Sequence, residues 1–226
     1  MTKVAILGVL LFGIGPLAAS VGVVRPLVGF GMFALGGLLG LVALVWGGIA
    51  AARGRAPWTA PALGLLVTGV FLAVAIPSRS FPPYNDFTTD PADPPAYMKA
   101  PTLPANRGRD MAYPGGAVTE AQRQAYPDLQ PLDLPLPPPD AFARVIATMQ
   151  TMPAWEITAA DPRSGLIEAV ATSRLFRFQD DIVIRVRPHD GGSRIDMRSK
   201  SRDGRGDLGA NAARIRTFFA ALRAVG

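Results

Sequence analysis

The chain has 226 residues, with 23 Lys and Arg against 17 Asp and Glu, no Cys and a single His, His189. Without Cys there are no disulfides, thiolate metal sites or Cys nucleophiles, and one His argues against multi-His metal centres and His-based triads. The formal charge of +6 does not mark a nucleic-acid binder, because residues 140–226 hold 14 Arg and Lys against 10 Asp and Glu, interleaved as on a solvated or ion-paired surface.

Residues 4–76 carry only three charged side chains, Arg25, Arg53 and Arg55. So long an apolar run reads as membrane rather than as a soluble core. It divides into three spans, about 4–24, 27–52 and 59–76, separated by Arg25-Pro26 and Arg53-Gly54-Arg55. Lys3 and Ala18-Ala19-Ser20 resemble a cleaved signal peptide, but two more spans follow directly, which favours a retained first helix. The second span carries Gly36-Gly37, Gly40 and Gly47-Gly48. These are either a close helix–helix seam or the ordinary glycine content of membrane helices. Lys3, Arg53 and Arg55 fall on one side and Arg25 and Arg79 on the other, so the Lys/Arg bias places the N-terminus inside. Residues 77–226 are then expected outside, which in a bacterium is the periplasmic face of the cytoplasmic (inner) membrane. No span contains Asp, Glu, Lys or His, which argues against a transporter or proton pump.

Residues 77–139 are rich in Pro and hold no sustained period, so an extended course with turns is expected. Phe81, Tyr84, Phe87, Tyr97, Tyr113 and Tyr126 recur through it, whereas disordered spacers are poor in aromatics. The segment is therefore expected to pack on the following domain. Asp86, Asp90 and Asp93 lack the glycine and terminal Glu of a calcium loop, and Asx-turn or capping roles suit them better.

From Asp140, an N-cap candidate, Phe142, Ile146 and Met149 predict a helix over 141–152. Strands follow at 154–161, 166–176, 180–188 and 193–201, joined by hairpin-length connections, and a helix begins near Leu208. The pattern predicts an α+β protein: three N-terminal transmembrane helices, then a two-layer domain with an antiparallel four-stranded sheet and two helices on one face. The other sheet face carries Glu168, Arg185, Arg187, Asp196 and Arg198. It is solvated, covered by the 81–130 segment, or a binding surface.

The polar constellation centres on "RSKSRDGRGDLGANAARI": Arg198, Ser199, Ser201, Arg202, Asp207, Asn211 and Arg214. A helix N-terminus after glycines and beside Arg suits an anion. However, Asp207 sits where a phosphate would approach in "GRGDLG", and no βαβ unit surrounds it. The simpler reading is a corner. Asp207 caps the helix, Gly204 and Gly206 take positive φ, and Asn211, Arg198, Arg202 and Arg214 pin strand to helix. Asp180 and Asp181, adjacent on a strand, point to opposite faces and do not make an obvious shared acid/base or metal site. Ser199 and Ser201 lack a visible base, and His189 is expected exposed at a hairpin tip.

"RLFRFQDDIVIRV" followed by "IDMRSKSRDGRGDLGANAARIRTF" resembles the signature of the domain of unknown function 1499 family. The upstream "FPPYNDFTTDPADPPAY" and "QRQAYPDLQPL" resemble the first part of that domain in membrane-anchored bacterial members. Phe87 stands where an Ile is commoner, and Lys200 and Asp203 depart from the Arg/Ser run. The resemblance implies that 80–130 belongs to the domain, and it implies no activity.

The expected protein is thus a multi-pass membrane protein that contacts the lipid bilayer. Its outer domain binds or scaffolds an envelope protein, a lipid headgroup or a small anionic ligand through the 198–214 corner and the charged sheet face, without cofactor, metal or nucleic acid. A hydrolase or transferase using Asp180, Asp181 or Asp207 is the alternative, as is a structural membrane subunit joined through the Gly-rich second helix.

Overall fold

The computed structural model describes residues 1–224. The chain forms two compact units, one of residues 1–80 with 173–178, the other of 81–172 with 179 onward.

In the first unit, α1 (Thr2–Ser20), α2 (Pro26–Ala52) and α3 (Thr59–Ala75) are each apolar enough to span a bilayer, α3 running on into a 3-10 turn at Pro77–Ser80. The chain is a membrane protein by this criterion. The first span stops at Ser20 rather than 24, because Val23 N–H turns back to Ala18 O at 2.9 Å. Leu10, Leu38, Leu65 and Leu66 face outward, as lipid-facing residues do. The glycine seam is spent inside this unit. A methyl group on Gly36 would lie 2.5 Å from Phe12 N on α1. Gly40 faces Val67 and Thr68, and Gly47 faces Pro61, all on α3. Small residues let these backbones approach where the hydrophobic effect is absent.

The second unit holds one antiparallel sheet. Its strands are β1 (Asp86–Thr88), β2 (Leu132–Leu134), β3 (Trp155–Asp161), β4 (Leu166–Thr172), β5 (Gln179–His189) and β6 (Gly192–Ser201). The order is β1-β6-β5-β4-β3, and β2 pairs with β6 farther along the same edge. The sheet is therefore six-stranded, not four-stranded. Both extra strands come from the Pro-rich segment. Asp86 pairs with Lys200 and Leu132 with Ile195, so they cover the edge of β6, whose N–H and C=O groups would otherwise stand open. That segment is also not extended throughout, since it contains α4 (Gly116–Ala125).

The helix α5 (Pro138–Thr151) starts two residues before the expected cap, with Pro in its first turn and Asp140 among its first residues, where a carboxylate favours the helix dipole. The last helix, α6 (Ala210–Ala224), lies against α5, and Arg144 donates to Leu222 O near its end at 2.7 Å. Ile167, Ile182, Ile184, Ile195 and Met197 on the sheet form one core with Val145, Met149, Ile215, Phe218 and Leu222 of these helices. Phe87 and Tyr126 from the covering segment join the same core, with rings edge-to-face at 5.2 Å.

Candidate functional site

Strand alternation splits the polar constellation between the two faces of the sheet. Asp180, Ser199 and Ser201 point to the helix side, where they meet Asn211 and Arg214. Asp181, Arg198 and Arg202 bond on the other. Arg198 and Arg202 thus do not pin strand to helix, contrary to the sequence expectation.

On the helix side, Arg214 pairs with Asp180 and donates to Asn211 Oδ1 at 2.8 Å and Ser199 Oγ at 3.1 Å. Ser199 Oγ donates to Asn211 Oδ1 at 2.6 Å, and Asn211 Nδ2 donates to Ser201 Oγ at 2.9 Å and Asn85 O at 3.1 Å. Asp207 accepts from Gly209 N–H at 2.9 Å and Asn211 N–H at 2.7 Å. It therefore occupies the N-terminus of α6 that an anion would need. Burial pushes the Asp207 carboxyl above its usual range, against these backbone bonds. The turn takes positive φ at Gly204, Leu208 and Gly209, and not at Gly206. A methyl group on Gly209 would also press to 2.8 Å from the Phe81 ring.

On the outer face, Asp86 accepts both a bidentate fork from Arg198, each bond 2.8 Å, and Lys200 Nζ at 2.8 Å. Arg198 also donates to Met111 O at 2.9 Å and stacks under Tyr97 and Tyr113, 4.8 and 5.4 Å from the ring centres. Burial disfavours the Arg198 charge, and Asp86 outweighs it, so the guanidinium is held charged. Burial likewise pushes the Tyr97 phenol well above its usual range, and its hydroxyl donates to Asp181 O at 2.9 Å. Asp181 is gripped by Arg202 at 2.7 Å, by Asn106 at 3.0 Å and by Arg109 at 3.5 Å. Arg109 closes the group on Ser201 O at 2.6 Å. Glu168 receives three successive backbone N–H groups, from Met98, Lys99 and Ala100. Farther along, Arg185 and Arg187 bridge Asp196 to Asp90 and Asp93. Burial raises the Asp196 carboxyl, one oxygen of which is buried without a partner.

This arrangement leaves little for chemistry. Asp180 and Asp181 are each tied to Arg on opposite faces, and Ser199 and Ser201 are bonded to Asn211. His189 is half-buried beside Arg194 and Asp190, at the far end of β5. The nine residues from Asp180 to His189 put it about 30 Å from the corner at a strand rise of ~3.3 Å. Among the described residues no cluster of His, Asp or Glu could hold a metal ion.

Sequence reasoning missed Asn106, Arg109 and Gln122, placed Glu168 on the charged face without its partners, and gave Asp86 a turn or capping role where it is the buried acceptor of Arg198 and Lys200. The Gln122 carboxamide receives Thr88 N–H at 3.1 Å and donates to Thr88 O at 2.6 Å, which imitates a neighbouring strand. The signal available was the charged sheet face itself, since charges on a sheet face beneath an aromatic-rich segment need partners in that segment. An open concavity lies elsewhere. A cleft of about 690 Å3 is lined by Thr89, Asp90, Gln122, Arg123, Gln130 and Arg194, with others. Arg123 is exposed and makes no ion pair among the described residues.

A family model described as Protein of unknown function (DUF1499) matches residues 86–222, from the first residue of β1 into the last turn of α6. No curated protein and no solved structure matches the chain.

Proposed function

We propose a function for this chain, which belongs to the DUF1499 family, from how its sheet domain uses its charges: the domain is a binding or scaffolding module held at a membrane, not a catalyst. Supporting this, every candidate carboxylate and serine of the corner bonds to another group of the domain. The corner's role is to lock strand to helix. The site of engagement is the 690 Å3 cleft, where Arg123 offers an unpaired cation and Gln130 exposed hydrogen-bonding groups. Its occupant is an anionic group, either on a small ligand or on an envelope protein. Lys3, Arg53 and Arg55 against Arg25 and Arg79 favour the domain lying outside, in the periplasm of a bacterium.

The single observation carrying the proposal is an open cleft with an unpaired cation at its wall, in a domain whose corner and charged sheet face are internally paired. A photo-reactive amino acid at Gln130 in the full chain, with one at exposed Glu156 as control, tests it in intact membranes. A discrete adduct at Gln130 that Arg123→Glu abolishes is expected. Adducts at neither position, or the same adducts at both, overturn the proposal. Impermeant thiol labelling of Ala92→Cys and Arg53→Cys, in a chain without native Cys, reads the orientation.

A further inference from the structure

Besides the three helices and the turns that join and follow them, the first unit contains the β4–β5 connection Ser173–Phe178. Its backbone is closed on itself. Ser173 N–H donates to Phe178 O at 2.8 Å, Phe178 N–H to Ser173 Oγ at 2.9 Å, and Arg177 N–H to Ser173 O at 3.0 Å. Arg177 sits at φ 60°, a left-handed conformation that residues other than glycine seldom hold without support. The result is a rigid tip presenting Arg174, Leu175, Phe176 and Arg177.

The chemistry of the tip is unlike the rest of the sheet's connections. Leu175 is 55% exposed, and after Phe81 only it and Leu208 are exposed large apolar side chains among the described residues. Phe176 packs on Phe30 and Phe33, ring centres 5.5 and 5.8 Å apart, and Phe178 on Phe30 at 6.1 Å. Phe30 and Phe33 are the fifth and eighth residues of α2, so they lie about 6 and 10 Å from its start at 1.5 Å per residue. At 27 residues α2 is about 40 Å long against a hydrocarbon core of ~30 Å, so this depth is the boundary between headgroups and acyl chains.

The charge of this unit has one sign. It contains no Asp or Glu, while Arg25, Arg79, Arg174 and Arg177 are all exposed. By topology Arg25 and Arg79 emerge at one end of the helices, the end where α2 carries Phe30. None of these four forms an ion pair among the described residues, in contrast to Arg185, Arg187, Arg194, Arg198, Arg202, Arg214 and Arg216 of the other unit.

We propose that Ser173–Phe178 is a lipid-binding tip: Leu175 enters the acyl edge of the bilayer while Arg174 and Arg177 take phosphate oxygens of anionic phospholipid headgroups. An apolar side chain flanked by unpaired guanidiniums, beside rings that pack on the first turns of α2, fits that layered surface and not a uniformly polar or apolar partner. The proposal rests on the membrane-spanning reading of α1–α3.

The test uses the full chain in nanodiscs of phosphatidylcholine, with and without phosphatidylglycerol. Spin labels go at Leu175→Cys, at Leu38→Cys on α2 and at Leu208→Cys as an aqueous reference. Collision with oxygen and with a polar nickel complex then reports depth. The Leu175 label should be several-fold less accessible to nickel than the Leu208 label, more so with phosphatidylglycerol, and Arg174→Glu/Arg177→Glu should return it to the aqueous value. A Leu175 label as aqueous as that at Leu208, with Leu38 still in lipid, overturns the tip and leaves the spanning helices standing. A Leu38 label in water overturns the membrane reading itself. A Leu175 label shielded from both reagents, whatever the lipid or charge, means that protein covers the tip, and also overturns the proposal.

Discussion

The two faces of the sheet are equally dry and are built from opposite materials. Toward α5 and α6 it presents Ile167, Ile182, Ile184, Ile195 and Met197, and away from them Glu168, Asp181, Asp196 and Arg198, all of them buried. The apolar face is stabilised by area removed from water, which is non-directional and tolerates swaps of similar volume. The charged face is stabilised only if every group finds its partner, because each unpaired buried charge costs several kcal/mol. Burial alone therefore says little about what a substitution does.

The sharpest way to break this comparison is Arg198→Ala. It leaves Asp86 buried with Lys200 alone, and opening of β6 should become easier by about 3–5 kcal/mol. Hydrogen exchange of the β5–β6 peptides in the full chain measures it locally. On the apolar face, Ile184→Ala should cost about 2–5 kcal/mol, and nearer the lower figure if α5 settles into the gap. The two faces separate in their rescue. Asp86→Leu and Lys200→Met added to Arg198→Met should recover much of the single-variant loss, since removing all three charges also removes their desolvation penalty. No second truncation beside Ile184 restores a lost contact. A triple variant no better than Arg198→Ala would mean that the Asp86–Arg198–Lys200 group behaves like ordinary packing.

The same contrast decides what was legible in the sequence. The two-residue period of "DIVIRVRP" and "SRIDMRSK" assigns both faces of β5 and β6, because alternation is local. The partners that the covering segment supplies to the charged face come from residues 68 to 114 positions away, and no local period records them. Strands β1 and β2 are three residues each, too short to show alternation, and exist through pairing with β6. The helix α4 opens on two glycines with no side-chain cap and sits among prolines, so its start signals are absent. Placing Arg198 and Arg202 at the helix junction failed for a simpler reason: the alternation that separates Asp180 from Asp181 also separates Arg198 from Ser199. The apolar spans were legible because length and composition alone define them.

Between the extremes stands Glu168. Glu168→Gln keeps the size and replaces one acceptor oxygen with an amino group facing backbone N–H groups. One or more of Met98, Lys99 and Ala100 then loses its acceptor, at about 1–3 kcal/mol. The loss should loosen the covering segment before the sheet. Trypsin cleavage after Lys99, Arg107 or Arg109 should therefore accelerate while β5–β6 exchange stays near the parent value. Equal loosening of both would show that cover and sheet form one cooperative unit.

The smallest effect comes from the pair that looks most like Asp86–Arg198 on paper. Arg216 holds Asp128 through a bidentate fork at 2.6 and 2.7 Å, but the side chains are 43% and 54% exposed, against 2% and 3% for Arg198 and Asp86. Water screens this pair, so Arg216→Ala should cost no more than about 1 kcal/mol, part of it from contact with the Tyr126 ring. The Arg216 hydrogen bond holds the Asp128 carboxyl below its usual range. Its stabilisation is therefore present above the ordinary carboxylate value of about 4 and fades as pH falls through the lower folded value. The gap between parent and Arg216→Ala in thermal unfolding should accordingly be widest near neutrality and narrow in acid. A gap as large as that for Arg198→Ala, or one that widens in acid, would mean that geometry and not burial sets the worth of an Arg–Asp fork in this domain.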